Sequence, residues 1–240
     1  MSALLEAAGV SASYGGRRII EDVTLRAAAG EITTLIGHNG SGKSTLLKAI
    51  FNIVPWREGM IRLDGRDLAG LAPDKLLAAG IAYVPQDHSV FPRLTVAENL
   101  RMGGYVLGEA RLLRERIATV EALFPALVAR RAQLAGSLSG GEQRMLEVAR
   151  ALLVDPKLIM LDEPSIGLAP RMVDAVFQAV QVLRDQGKAV LMVEQNVRKA
   201  LAISDRGYVM ELGRIRVEDT AASLIGDERV TRLYMGKRPA

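Results

Sequence analysis

The chain has 240 residues, with 31 Lys and Arg against 27 Asp and Glu, and a formal net charge of +4. That length suits one substantial α/β domain with a small insert, and it buries enough surface to fold without staples. The absence of Cys excludes disulfides, thiolate metal sites and cysteine nucleophiles, and the well-mixed charge offers no basic run for nucleic acid.

Met1 to Glu6 lack the charged start and apolar run of a signal peptide. The apolar stretches fall short of the roughly 20 residues that a membrane span needs. The expectation is a chain that does not insert into a membrane and reaches one only by docking to another protein.

Leu4 to Val10 and Ile20 to Leu25 read as strands, with Tyr14-Gly15-Gly16 as the turn between them. Glu31 to Ile36 reads as a buried strand leading into Gly37-His38-Asn39-Gly40-Ser41-Gly42-Lys43-Ser44-Thr45. This segment matches G-x-x-x-x-G-K-[ST], the phosphate-binding loop of nucleotide triphosphatases. Its backbone N–H groups can surround a β-phosphate, and the following helix, Lys43 to Ile53, adds a positive N-terminal end. Lys43 would reach the β- and γ-phosphates, and Ser44 Oγ would ligate Mg²⁺. Leu46, Leu47, Ile50 and Phe51 share one face of that helix. Pro55 prevents its simple continuation.

Gly59 to Leu63 and Ile81 to Val84 suggest further strands, separated by a short helix near Pro73 to Ala78. Helical patterns then dominate from about Val96 to Leu153: Val96 to Met102, Glu109 to Leu127 and Glu142 to Leu153. The reading is an all-helical insert, entered near Gln86 and left near Asp155-Pro156. Residues 87–155 would form this helical subdomain, and residues 1–86 and 156–240 the α/β nucleotide-binding core.

Within the insert, Leu138-Ser139-Gly140-Gly141-Glu142-Gln143 opens a strong helical pattern. Ser139 suits an N-cap or a phosphate contact, and the glycines allow close backbone approach. The segment reads equally as a Gly-rich helix start with a capping acid. Leu158 to Asp162 is an apolar strand ending in Asp162-Glu163. Adjacent carboxylates repel, so their place at the end of a buried strand calls for a reason such as Mg²⁺. Asp162 would hold the metal through water or Ser44, and Glu163 would orient or deprotonate a water that attacks the γ-phosphate. The bland alternative is a pair of solvent-facing acids before Pro164. Val173, Val176, Phe177, Val180 and Leu183 mark one face of a helix that ends at Gly187. Ala189 to Val193 is another apolar strand. Tyr208 to Glu211 and Arg214 to Val217 read as a hairpin, followed by two short C-terminal helices.

Together, Gly37 to Thr45, Leu138 to Gln143 and Leu158 to Glu163 resemble the motif set of ATP-binding cassette (ABC) ATPases, and the likeness spans essentially the whole chain. The resemblance implies a P-loop NTPase core, an antiparallel β subdomain and an inserted helical subdomain. It implies ATP and Mg²⁺ as ligands, and a head-to-tail pair of ATPase subunits. Ser139, Gly140 and Gly141 would then contact ATP held by the partner. On the same basis Gln86 matches the family's Q-loop glutamine, which senses Mg²⁺ or the attacking water. Tyr14 matches the aromatic that stacks on adenine, and Ser165-Ile166-Gly167-Leu168 matches the D-loop at the dimer seam.

One departure stands out. The family's common pattern places a switch histidine after the strand Ala189 to Val193, where this chain has Glu194-Gln195-Asn196. Gln195 can hydrogen-bond a γ-phosphate or water, but it does not ionise near neutral pH. Glu163 would then activate water without a histidine; the rivals are a slow site and a subunit that binds ATP without useful hydrolysis. Val193-Glu194-Gln195-Asn196 resembles one branch, the ATPases of branched-chain amino acid importers. Ala169-Pro170, Thr95 to Leu100, Met102 to Tyr105 and Asp205 to Val209 point the same way, to the smaller of that importer's ATPases. The branch implies a second, different ATPase subunit, two multispanning permeases and, indirectly, a solute-binding protein, at the cytoplasmic face of the membrane. Other solutes (an amide, urea, an exported lipid) and a soluble role in DNA repair or translation are the alternatives. His38 occupies a variable position of the loop and is read as a nucleotide contact without catalytic duty.

Overall fold

A computed structural model describes residues 3–87, 89–228 and 230. β1 (Ala3–Tyr14) and β2 (Arg17–Ala28) pair antiparallel about Gly15 and Gly16, both at positive φ. Tyr14 therefore ends a strand rather than sitting in the turn. β3 (Ile32–Ile36) is buried throughout and runs through the glycine loop into α1 (Lys43–Ile50). That helix is shorter than the expected Lys43 to Ile53. Asn52 turns the chain at a φ of 54°, and its Nδ2 donates to the carbonyls of Leu68 and Leu71. Asparagine is among the side chains that tolerate this conformation.

β4 (Trp56–Leu63) pairs with β1, and β5 (Arg66–Asp67) with β4, which completes a four-stranded antiparallel sheet of order β2-β1-β4-β5. α2 (Pro73–Ala79) and β6 (Ile81–Val84) follow. Before the next strand, β7 (Leu158–Asp162), the described residues form only helices, short helical turns and one isolated bridge, Thr95 with Leu134. The helices are α3 (Val96–Gly103), α4 (Ala110–Leu123), α5 (Pro125–Val128) and α6 (Gly140–Leu152). The continuous helix expected from Glu109 to Leu127 breaks at Phe124. Pro125 has no N–H to donate and pushes its predecessor out of the helical region. α6 starts at Gly140, ahead of the expected Glu142, because Ser139 and Glu142 close a capping box.

The chain ends with α7 (Pro170–Asp185), β8 (Ala189–Glu194), α8 (Val197–Ile203), β9 (Arg206–Glu211), β10 (Arg214–Thr220) and α9 (Ala221–Gly226). α8 is a helix that the apolar pattern did not announce; the Asn196 side chain caps it by accepting from Lys199 N. α9 is one of the two short helices expected at the C-terminus. Glu228 and Val230 are helical where the other would start, and the rest of that region lies outside the described residues.

The second sheet has six strands in the order β10-β9-β3-β8-β7-β6, parallel from β9 to β6, with β10 antiparallel at its edge. Side chains alternate across a strand, so both faces must be apolar when both are covered. Ile159 and Leu161 pack with α3, α4, α6 and α7, whereas Leu158 and Met160 pack with α1, α2 and the antiparallel sheet. This doubly covered sheet gathers the C-terminal ends of β3, β6, β7 and β8 along one edge, where open α/β sheets bind ligands.

Candidate active site

The loop between β3 and α1 is shaped by close approach. A Cβ on Gly37 would lie 2.2 Å from the Met210 carbonyl oxygen, and one on Gly42 would lie 2.6 Å from Ile20 Cγ2. Gly42 also holds a φ of 104° at the start of α1. Lys43 is buried, and its Nζ donates to the carbonyls of Gly37 at 2.8 Å and His38 at 3.1 Å. Burial lowers its pKa, against the pull of Glu163, Asp162 and Glu194. The cation is thus held beside carboxylates within reach of an anion in the cleft.

That cleft has a volume of about 320 Å³ and is lined by Ile19, Asn39, Gly40, Gly42, Lys43, Ser44 and Thr45 on one side and by Gln86, Glu163 and Gln195 on the other. Gly37, His38 and Ser41 do not line it. The Ser41 hydroxyl is buried without a hydrogen-bond partner among the described residues.

β7 delivers its acids to this edge in opposite roles. Asp162 is tied down: Ser44 Oγ donates to its Oδ1 at 2.8 Å and the Tyr83 hydroxyl to its Oδ2 at 3.1 Å. Burial first, then the Asp162 charge, pushes the Tyr83 phenol far above its ordinary value, so it stays a donor. Glu163 adopts a φ of 49°, a conformation that costs a non-glycine residue about 1–3 kcal/mol. Its Oε2 accepts from Gln195 Nε2 at 2.6 Å and from Gln86 Nε2 at 3.0 Å.

The elements around the cleft are cross-linked by residues that the sequence reading did not assign a task. Arg144 of α6 is buried and donates to the carbonyls of Pro85 at 2.7 Å, Gln86 at 3.1 Å, Glu163 at 3.3 Å and Asp162 at 3.4 Å, while pairing with Glu147 at 2.9 Å. Glu194, at the end of β8, accepts from Ser165 and from the backbone beyond it. Burial raises its pKa against those hydrogen bonds. An acid ending an apolar strand was a legible signal for Glu194, as it was for Asp162. Arg144 and Tyr83 carried no such signal.

Ser139, Gly140 and Gly141 stand apart from the cleft. Ser139 and Gly140 are exposed at the tip of α6, and a Cβ on Gly141 would lie 2.6 Å from Met172 of α7. Within one chain the tip neighbours Leu168 and α7, not the glycine loop. Tyr14 is 37% exposed and is not among the cleft's lining residues.

The donor set fits Mg²⁺ bound with a nucleotide. No cluster of three or more His, Cys, Asp or Glu able to hold a metal exists among the described residues. A hydroxyl and a carboxylate already 2.8 Å apart beside a phosphate loop match a metal that takes few protein ligands and completes its shell with phosphate oxygens and water.

The family model for ABC transporters matches residues 20–166. The high-affinity branched-chain amino acid transport ATP-binding protein BraG of Pseudomonas aeruginosa is 44% identical over 227 residues, covering 95% of this chain and 97% of BraG. The lipopolysaccharide export system ATP-binding protein LptB of Escherichia coli strain K12 is 38% identical over 239 residues, covering 98% of each. A crystal structure of the ADP conformation of an ATP-binding cassette of an ABC transporter superposes with a TM-score of 0.87 at 28% identity, covering 99% of this chain and 100% of that one.

Proposed function

The chain belongs to the ABC transporter family of ATPases, and on that premise we propose that it is the ATP-hydrolysing subunit of a membrane importer for branched-chain amino acids. The 44% identity to BraG along almost its full length supports the solute class. The observation that carries the catalytic reading is the Glu163 carboxylate, held by the amides of Gln86 and Gln195 in the cleft that Lys43 and Ser44 line.

Asn39, Gly40 and Gly42 to Thr45, which line the cleft, bind the triphosphate through backbone N–H groups and the N-terminal end of α1. Lys43 neutralises charge that develops on the phosphoryl oxygens. Ser44, Asp162 and Gln86 would hold Mg²⁺, which when bound would supply Lewis-acid stabilisation to those oxygens. Tyr83 keeps Asp162 aimed at Ser44. Glu163 accepts a proton from the water that attacks the γ-phosphate. Gln86 and Gln195 orient that carboxylate and leave the proton to it, because an amide has no acidic proton to exchange near neutral pH. Tyr14 stacks on the adenine.

The tip of α6, with Ser139 and Gly140 exposed and Gly141 packed against Met172, completes the site of a second, different ATPase subunit arranged head to tail. Two multispanning permeases take up the motion, and a solute-binding protein feeds them. No helix among the described residues is long and apolar enough to cross a membrane. The subunit sits at the cytoplasmic face through its permeases.

Uptake of labelled leucine, isoleucine and valine by cells lacking this gene tests the reading. Uptake falls, and the wild-type gene restores it but a Glu163→Gln gene does not. The likeness to LptB favours lipid export as the second reading. Unchanged uptake with arrested lipopolysaccharide export would establish that one instead.

A further inference from the structure

We infer that Glu194 is a positioning residue for the hydrolytic step: through Ser165 it fastens the strained backbone that aims Glu163. The inference rests on the catalytic reading given above.

Glu194 closes β8 with only 1% of its surface exposed. Both carboxylate oxygens are in use. Oε1 accepts from Ser165 N at 2.8 Å, and Oε2 accepts from Ser165 Oγ at 2.9 Å, Gln195 N at 3.1 Å and Asn196 N at 3.4 Å. All these donors are neutral. Burying a carboxylate is costly, and the rest of β8, Ala189 to Val193, is apolar. Strand formation alone therefore gives no reason for an acid here.

The donors explain it. Ser165 follows Glu163 by one intervening proline, and Gln195 is the residue whose side chain holds the Glu163 carboxylate. The segment Glu163 to Ser165 is stitched to Val193 to Gln195 at each end. Glu163 N donates to the Val193 carbonyl at 2.9 Å, Gln195 holds the Glu163 side chain, and Glu194 holds Ser165. A non-glycine residue at a φ of 49° persists only when its surroundings over-determine it. Ser165 is the downstream stitch, and Glu194 supplies it with two acceptors. Without them Glu163 relaxes toward ordinary backbone, and its carboxylate leaves the position opposite Lys43. Glu194 itself touches no reacting atom.

The test uses the native transporter complex, purified through a tag on this chain, with Glu194→Gln, Ser165→Ala and Ser165→Thr. A glutamine offers one acceptor oxygen where the carboxylate has two and turns an NH₂ group toward the donors. Misplacing a reacting group by about 1 Å costs on the order of 100-fold. We expect Glu194→Gln to lower kcat by about 10- to 100-fold, with KM for ATP and ATP binding within about twofold of wild type. Ser165→Ala lowers kcat in the same direction, Ser165→Thr restores it, and the double variant Glu194→Gln/Ser165→Ala is less than multiplicative. Wild-type kcat in Glu194→Gln or Ser165→Ala would overturn the inference. So would equal losses of kcat, ATP binding and melting temperature, which mark a merely structural role. Should Glu194→Gln not fold, the Ser165 pair decides alone. A wild-type complex that turns over no ATP would overturn the catalytic reading itself, an outcome visible before any variant is made.

Discussion

Gln195 Nε2 lies 2.6 Å from Glu163 Oε2. An amide that does not titrate therefore stands beside the group assigned to accept the proton. Removing it with Gln195→Ala deletes one hydrogen bond to a charged group, worth roughly 1.5 kcal/mol, so kcat falls about tenfold. Gln195→His retains most turnover but adds a limb to the pH profile of kcat, displaced upward from the ordinary imidazole value because the Glu163 carboxylate favours the charged ring. Phosphate-release assays across pH 5.5 to 8.5 check both. A limb of the same kind in the wild type would contradict the role given to this amide.

Ser44 and Asp162 share a 2.8 Å hydrogen bond at the place assigned to the metal. Chelation with EDTA abolishes turnover, and added Mg²⁺ restores it. Loosening Asp162 with Tyr83→Phe raises the Mg²⁺ concentration for half-maximal rate by about tenfold, the lower end of what a supporting partner contributes. Magnesium titration of the ATPase rate reads the effect.

Gly42 has no room for a side chain, whereas Gly65, at a φ of 75°, has open space around its Cβ position. Gly42→Ala destabilises the fold by about 1–3 kcal/mol through overpacking and abolishes ATP binding. Gly65→Ala shares only the backbone strain, about 1 kcal/mol, and binds ATP normally. Chemical denaturation and nucleotide binding by calorimetry separate the two.

Much of this site was legible in the sequence because its residues sit at ends of apolar runs. The glycine loop follows a buried strand, Asp162 ends another with Glu163 next to it, and Gln195 follows a third, so the parallel order of β3, β8 and β7 alone gathers them. What stayed hidden depends on contacts between elements. Nothing near Arg144 in sequence announces that its guanidinium would reach the Pro85 and Glu163 carbonyls. Tyr83 looked like one more strand residue until β6 paired with β7 and set it against Asp162. The break at Phe124 was readable from Pro125, but the surrounding helical period concealed it. α8 escaped notice because only its Asn196 cap marks its start.

Asp155, between α6 and β7, bonds Lys188 and pairs with Arg116 of α4, tying the helices to the sheet edge. The Lys188 hydrogen bond, with the Lys188 and Arg116 charges, holds its pKa below the ordinary carboxylate value, against a smaller opposing effect of burial. A depressed carboxylate adds stability that is complete above its unfolded value, about 3.9, and is lost as pH falls through the folded value. The side chain is 42% exposed, so solvent screening limits the gain to about 0.5–1 kcal/mol. Asp155→Asn keeps a residue suited to the φ of 51° there. The difference in melting temperature from wild type is constant between pH 6 and 8 and closes below about pH 4.

Phosphate release by the native complex, wild type beside Glu163→Gln, bears most directly on the whole account. The wild type releases phosphate with Mg²⁺ present. The variant falls by about 10²- to 10⁴-fold while retaining ATP, as loss of a proton acceptor requires. Equal rates in the two proteins would contradict the assignment of Glu163, and with it the chemistry built around this cleft.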